Sequence, residues 1–241
     1  MVNRILHQIL QKHLIPSGEY IYGFASMKGL LHEKYDGYFF GISIGRKLDD
    51  NIINGIKDAP TLEYYHHYEE INRQLQAVSE NISIDLQEAG IGAVAIKPTI
   101  SPNSGAFDIF QKTLRYEISH KMVATRAGLG WIGKTDLFIS PVFGARLRLT
   151  SILVDKEIKP ELKPVDKSKC GNCTVCVEKC PAKAATGQRW DINTDRDLFF
   201  NAFKCREKCG ELCRIYLKID QRICGICVAV CPIGRNAKAL T

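Results

Sequence analysis

All ten cysteines of this 241-residue chain lie between Cys170 and Cys231, and the first 169 residues contain none. That segregation constrains the fold more than any other feature. A secreted disulfide scaffold is short and carries cysteines throughout. Here a cysteine-free stretch, long enough to bury a core, precedes a cysteine-rich one. The pattern points to a metal-binding domain appended to an ordinary one.

The spacing sharpens this reading. Cys170-x2-Cys173-x2-Cys176-x3-Cys180-Pro181 matches the run that holds iron–sulfur cubanes in bacterial ferredoxins. Three closely spaced thiolates wrap three corners of one cubane, and the fourth ligates a second cluster. Cys224-x2-Cys227-x3-Cys231-Pro232 repeats the pattern with one cysteine missing, which Cys205, Cys209 or Cys213 can supply. Crossed wiring gives Cys170, Cys173, Cys176 and Cys231 to one [4Fe–4S] cluster. Cys180, Cys224, Cys227 and a middle cysteine go to the other. The two cysteines left over read as packing residues. Zinc on the two C-x2-C pairs leaves six of the ten cysteines unexplained and gives no reason for the Cys-Pro steps. The chemistry expected is one-electron transfer through two clusters.

The formal net charge of +7 does not by itself call for nucleic acid. Two cubanes on eight thiolates remove about four of those positive charges. No apolar run approaches the length of a membrane span. His7, Gln8 and Gln11 interrupt the apolar positions near the start, so no signal peptide is expected and the chain reads as cytoplasmic.

Along the chain, residues 3–14 carry one apolar helical face, and 20–26 and 38–46 read as strands. Pro60-Thr61 opens a long helix of period near 3.6 that Gly90 stops. A strand is expected at 91–96, a helix over 107–126 ended by Gly128, and strands at 137–140 and 146–154. The charged segment 155–169, with Pro160 and Pro164, reads as a linker. The fold class expected is α+β, with a mixed domain over 1–160 and a ferredoxin-like two-cluster domain over 161–241.

Gly128 to Thr135 formally fits the phosphate-binding G-x-x-x-x-G-K-[ST] loop. Such a loop needs a strand before it and a helix after it. Here a helix precedes and a strand-and-turn pattern follows. The run therefore reads as a glycine turn that brings backbone close to a neighbour, either as packing or against a flat cofactor.

Ala127-Gly128-Leu129-Gly130-Trp131-Ile132-Gly133-Lys134, after Arg126 and ahead of two strands and the cysteine block, resembles the epoxyqueuosine reductase family. These are cobalamin-dependent, double-cluster proteins related to reductive dehalogenases. The resemblance spans residues 60–235 and is strongest at 126–134 and 170–232. It implies a cobalamin domain beside a ferredoxin-like domain, with clusters feeding electrons to cobalt and Co(I) reducing an organic substrate. It implies Gly128, Leu129, Gly130, Trp131, Gly133 and Lys134 as cofactor-binding residues, and an external one-electron donor of ferredoxin or flavodoxin type. Phe200-Asn201-Ala202-Phe203-Lys204-Cys205 is similar to the stretch before the middle cysteine of short members, which selects Cys205 as eighth ligand. The segment from Cys213 to Asp220 resembles the corresponding region of full-length members and is the competing cue.

Two departures bear on function. Full-length tRNA-modifying members continue into a helical-repeat region, whereas this sequence ends at Thr241. Their catalytic Asp falls at Leu114 here, with Asp108 and Glu117 only nearby, so no catalytic residue is assigned. The family binds its cofactor without a histidine ligand. His66 and His67 read as surface or packing residues, and His120 as a candidate for contact or proton transfer. The expectation is a cobalamin- and iron–sulfur-dependent reductase of an unassigned, small-molecule or other substrate, with no membrane partner and nucleic acid not favoured. The alternatives are a non-catalytic electron carrier and a tRNA epoxyqueuosine reductase that uses a separate tRNA-binding partner.

Overall fold

The structure, a computed structural model, describes residues 2–100 and 102–234. Residues 235–241 of the expected second domain lie outside the described residues. Helix α1 (Val2–His13) buries Leu6 and Leu10 on its apolar face. Strands β1 (Tyr20–Ser26) and β2 (Phe40–Lys47) pair antiparallel. A short helix α2 (Asp50–Gly55) follows, capped by the Asp49 carboxylate, which accepts from the backbone N–H groups of Asn51 and Ile52. Thr61 then caps the long helix α3 (Leu62–Glu88), and Gly90 at φ +77° ends it, as the sequence pattern predicts.

Strand β3 (Ala93–Ile96) leads to α4 (Phe107–Thr113) and α5 (His120–Arg126). The single helix expected over 107–126 is thus two. Leu114 adopts φ +50° at the end of α4, and Ser119 opens α5 by accepting a hydrogen bond from the Met122 N–H. Apolar residues stand on both sides of the break, but α4 buries none of its own, whereas Ile118 and Val123 beyond it are buried. A side-chain cap three residues later was the competing local signal.

Strands β4 (Trp131–Ile132) and β5 (Phe138–Ile139) form a small hairpin, of which β4 was not anticipated. Strand β6 (Leu147–Val154) completes the main sheet, whose order is β1-β2-β6-β3, antiparallel throughout. Alternate residues of β6 enter two apolar clusters. Ile152 and Val154 face α1 and α3, and Leu149 and Leu153 face α5. Helices on both faces of one antiparallel sheet agree with the expected α+β class.

Past the linker come α6 (Val175–Glu178), α7 (Arg196–Phe199), α8 (Ala202–Leu212) and α9 (Ile226–Val230). A π-helical turn at Cys213–Leu217 follows α8. This part packs on the sheet domain through a shared apolar cluster. Ile223, Ile226 and Ala229 belong to the same apolar cluster as Leu6 and Ile152. Arg146, 1% exposed, fastens the two parts by donating to Asp50 at 2.7 Å, to Asn54 at 2.9 Å and to the Ala229 carbonyl at 3.3 Å. Nearby, the turn at Gly144 meets the turn after Cys231-Pro232. A Cβ on Gly144 would lie 1.7 Å from the Ile233 carbonyl oxygen, so only glycine admits this approach.

Candidate functional site

Strand β3 ends at Ile96, which pairs with Ser151, and Pro98 follows two residues later. Proline cannot extend the ladder. Leu147 to Thr150 of β6 is therefore left as an open edge of the sheet, paired on the β2 side alone. A cavity of 430 Å³ lies along that edge, between the sheet domain and the cysteine-rich part. Its sheet-side walls include Tyr64, Tyr68, Tyr116, Leu147, Arg148 and Leu149. Cys180, Cys205, Cys209, Cys224 and Cys227 form its other side.

The cysteines fall into two groups in space. Cys176 feels the charges of Cys170, Cys173 and Cys231, and burial pushes its thiol up. Those four are the first set expected from spacing. Cys227 lies within electrostatic reach of Cys224, Cys205, Cys176 and Cys180, and burial pushes it up as well. Cys205 and Cys209 approach to 3.9 Å between sulfurs. Hydrogen bonds with Cys205 and Cys224 raise Cys209, while Cys209 lowers both of them. Cys213 is turned away from the cavity, 0% exposed, donating to the Ile223 carbonyl at 3.2 Å and accepting from its N–H at 3.4 Å.

None of the ten is in a disulfide. Thiolates that repel one another are a donor set for which an iron–sulfur core supplies the compensating positive charge. Among the described residues no three of His, Cys, Asp or Glu converge as ligands of a single ion. A cubane instead takes one sulfur at each of four separate irons. The donor chemistry fits such a centre.

The glycine run supports the first group. Trp131 Nε1 donates to the Cys170 sulfur at 3.3 Å. Lys134, 4% exposed, donates from Nζ to the Cys173 carbonyl at 2.9 Å, so its charge is turned into protein rather than toward a phosphate. Gly128 packs on Leu162 and the Lys163 carbonyl. A Cβ on Gly130 would meet the Ile139 carbonyl oxygen at 2.1 Å, so β4 and β5 close on each other there. Leu129 and Gly133 are likewise packed, against Gly23 and Ile139. None of these six residues lines the cavity. The run reaches the cavity wall only at Thr135, Asp136, Leu137 and Phe138. Thr135, the last position of the phosphate-loop match, was not assigned to a cysteine site from sequence, yet its hydroxyl hydrogen-bonds Cys176 and lowers it against the effect of burial. Only tertiary packing reveals that contact.

His120 lines the cavity with both ring nitrogens engaged, Nδ1 with Ser151 Oγ at 3.0 Å and Nε2 with the Lys97 carbonyl at 2.9 Å. A carbonyl only accepts, so Nε2 carries the proton and Nδ1 accepts from the Ser151 hydroxyl. Burial pushes its pKa down to about 4, and the Arg148 charge adds to the effect. His120 is thus a neutral, immobilised wall. His66 is exposed, and His67 accepts from the Asp49 N–H at 3.0 Å. Leu114, Asp108 and Glu117 do not line the cavity.

No family model matches the chain. The epoxyqueuosine reductase of Lactococcus garvieae is 36% identical over 114 residues, 47% of this chain and 31% of the relative. That of Staphylococcus aureus is 32% identical over 121 residues, 49% of this chain and 30% of the relative.

The chain is similar to epoxyqueuosine reductases.

The tetrachloroethene reductive dehalogenase of Sulfurospirillum multivorans is 32% identical over 124 residues, covering 47% of this chain and 23% of that protein. The matched stretch spans about a third of the length of the epoxyqueuosine reductases, so the similarity concerns part of those enzymes. Among solved structures, a catabolic reductive dehalogenase superposes with a TM-score of 0.64 at 13% identity, over 90% of this chain and 30% of its own. An epoxyqueuosine reductase bound to a modified tRNA stem loop gives 0.58 at 16% identity, over 98% of this chain and 67% of its own. These likenesses show the fold: mixed helices and strands, shared with both groups of reductases. No helix among the described residues is long and apolar enough to cross a membrane.

Proposed function

We propose that the chain is a cytoplasmic reductase whose two [4Fe–4S] clusters pass electrons to a corrinoid that enters the open cavity in part, against the edge of β6. The single observation that carries this reading is the position of the second cysteine group. Cys180, Cys224 and Cys227 form a wall of the same cavity that Tyr64, Tyr68, Tyr116, Leu147 and Leu149 line from the sheet side. Cys170, Cys173, Cys176 and Cys231 hold the first cluster in this reading, and Cys180, Cys205, Cys224 and Cys227 the second. Cys213 is spare because its sulfur is committed to Ile223, and Cys209 is the packing neighbour of Cys205. Residues 1–160 serve as the cofactor portion and 161–241 as the cluster portion.

When bound, the clusters supply one-electron steps and the corrinoid a low-valent cobalt that reduces the substrate. The protein's own contributions follow from the geometry. Trp131 and Thr135 aim N–H and O–H donors at the first group's sulfurs, which stabilises negative charge there. Tyr64, Tyr116 and Leu149 keep water from the cavity wall. His120, neutral and bonded at both nitrogens, would serve as a fixed wall with no free ring nitrogen. Gly128, Leu129, Gly130, Trp131, Gly133 and Lys134 act through the cluster side. An acidic one-electron donor, ferredoxin- or flavodoxin-like, completes the chain of transfer.

Iron and acid-labile sulfide analysis tests the cluster count. About eight of each per chain is expected, falling to about four in Cys224→Ser/Cys227→Ser. Zinc with no sulfide would refute the reading. A second reading, reduction of epoxyqueuosine in tRNA, draws on the similarity to the enzymes of that name. It predicts tRNA binding that weakens steeply with salt.

A further inference from the structure

Arg148 stands at the open edge of β6 and lines the cavity. Its Nε donates to Asn72 Oδ1 at 2.9 Å and its Nη2 to the Tyr68 hydroxyl at 3.1 Å. The guanidinium lies 4.3 Å from the Tyr68 ring centroid. All these partners are neutral. The other cations on the cavity wall have carboxylates. Lys121 pairs with Asp136 at 2.5 Å, Lys208 with Glu211 at 2.5 Å, and Arg222 with Asp220 at 3.8 Å. Arg148 pairs with none among the described residues.

The strand register makes this more pointed. Arg46 sits directly opposite Arg148 on β2, and like charges in that position repel. Glu19 pairs with Arg46 at 3.2 Å and so is already spent on the neighbour. Nη1 of Arg148 bonds no protein atom among the described residues, yet it is not a sealed, orphaned atom like Arg146 Nε. It is therefore open to the cavity. A half-buried guanidinium held rigidly by neutral groups, with a free edge and no counter-ion, is a site built for an anion.

We propose that Arg148 is the anion subsite of the cavity and takes a carboxylate or phosphate group of a ligand whose body is apolar. The body would lie among Tyr64, Tyr116, Leu147 and Leu149, and the acid would meet Nη1. This assignment rests on the cavity being the ligand site named above. The anion has two sources of the same chemistry: an organic-acid substrate, or the phosphate in the nucleotide loop of a corrinoid.

The test uses cluster-loaded protein and calorimetry with benzoate, with its neutral isostere benzamide, and with cobalamin and cobinamide, which lacks that phosphate. Benzoate binding at least tenfold tighter than benzamide, lost in Arg148→Gln and partly restored in Arg148→Lys, assigns the subsite to a substrate acid. A preference for cobalamin over cobinamide that Arg148→Gln removes assigns it to the corrinoid phosphate. Equal binding of benzoate and benzamide, together with a cobalamin-to-cobinamide ratio unchanged by Arg148→Gln, overturns the proposal while leaving the corrinoid reading intact. Benzoate selectivity with neither corrinoid binding supports the subsite and removes the corrinoid. Should Arg148→Gln not fold, the benzoate–benzamide comparison on the unaltered protein decides, equal affinity refuting the substrate source.

Discussion

Trp131→Phe removes one hydrogen bond and part of a buried ring. The indole N–H reaches the Cys170 sulfur at 3.3 Å, and Trp131 is 5% exposed, so no water replaces the lost donor. Phenylalanine keeps an aromatic ring in β4. A hydrogen bond to a charged acceptor contributes about 1.5–3 kcal/mol. Only the part of it that grows when the cluster gains an electron changes the potential. Taking that part as about 1 kcal/mol gives a fall of about 45 mV for a one-electron couple, since tenfold in equilibrium is about 59 mV. The assay is a redox titration of the cluster-loaded variant, followed by EPR so that the two clusters are resolved. One potential should fall and the other stay in place, because Trp131 touches only the first group. Two unchanged potentials accompanied by weaker cobalamin binding would refute the reasoning and return the glycine run to the cofactor.

His120 gives a pH signature. Its folded pKa, about 4, lies below the ordinary 6.5, so its contribution is intact above pH 6.5 and is lost as pH falls toward 4. The full loss is about 3 kcal/mol, and urea midpoints measured between pH 7 and 5 should fall less steeply in His120→Asn than in the parent. Gly144→Ala should drive the Cys231–Gly234 turn off the sheet domain, and cluster absorbance should decay at least several-fold faster at 37 °C; unchanged retention would count against the close approach. Arg146→Met breaks a buried three-partner contact, but Asp50 keeps Lys47 at 2.7 Å. The cost should be about 3 kcal/mol in chemical unfolding, and a change under about 1 kcal/mol would mean that Arg146 does not fasten the two parts.

Much of the architecture could be read from local chemistry. The 27-residue helix α3 follows from its apolar period between Thr61 and Gly90, and β1 was bounded by its aromatic and β-branched run. The set Cys170, Cys173, Cys176 and Cys231 is expected from thiolate spacing alone, and Cys176 lies within electrostatic reach of the other three. What escaped was tertiary. The break at Leu114 leaves apolar residues on both sides of it, of which α4 buries none while Ile118 and Val123 beyond it are buried. The glycine run has the composition of a cofactor turn, but its donors point at Cys170 and Cys173, which lie about forty residues on. The cavity is assembled by a strand that stops at Pro98, an edge at Leu147 to Thr150, and cysteines from the far part of the chain. No window of sequence contains all three.

The measurement that bears most directly on the central claim is an anaerobic titration of cluster-loaded protein with cobalamin, read by EPR of the Co(II) state. The account predicts stoichiometric binding with no nitrogen signal from His120, because both of its ring nitrogens are already bonded. Two intact, reducible clusters with no bound cobalamin would contradict it and leave an electron carrier that lacks a corrinoid.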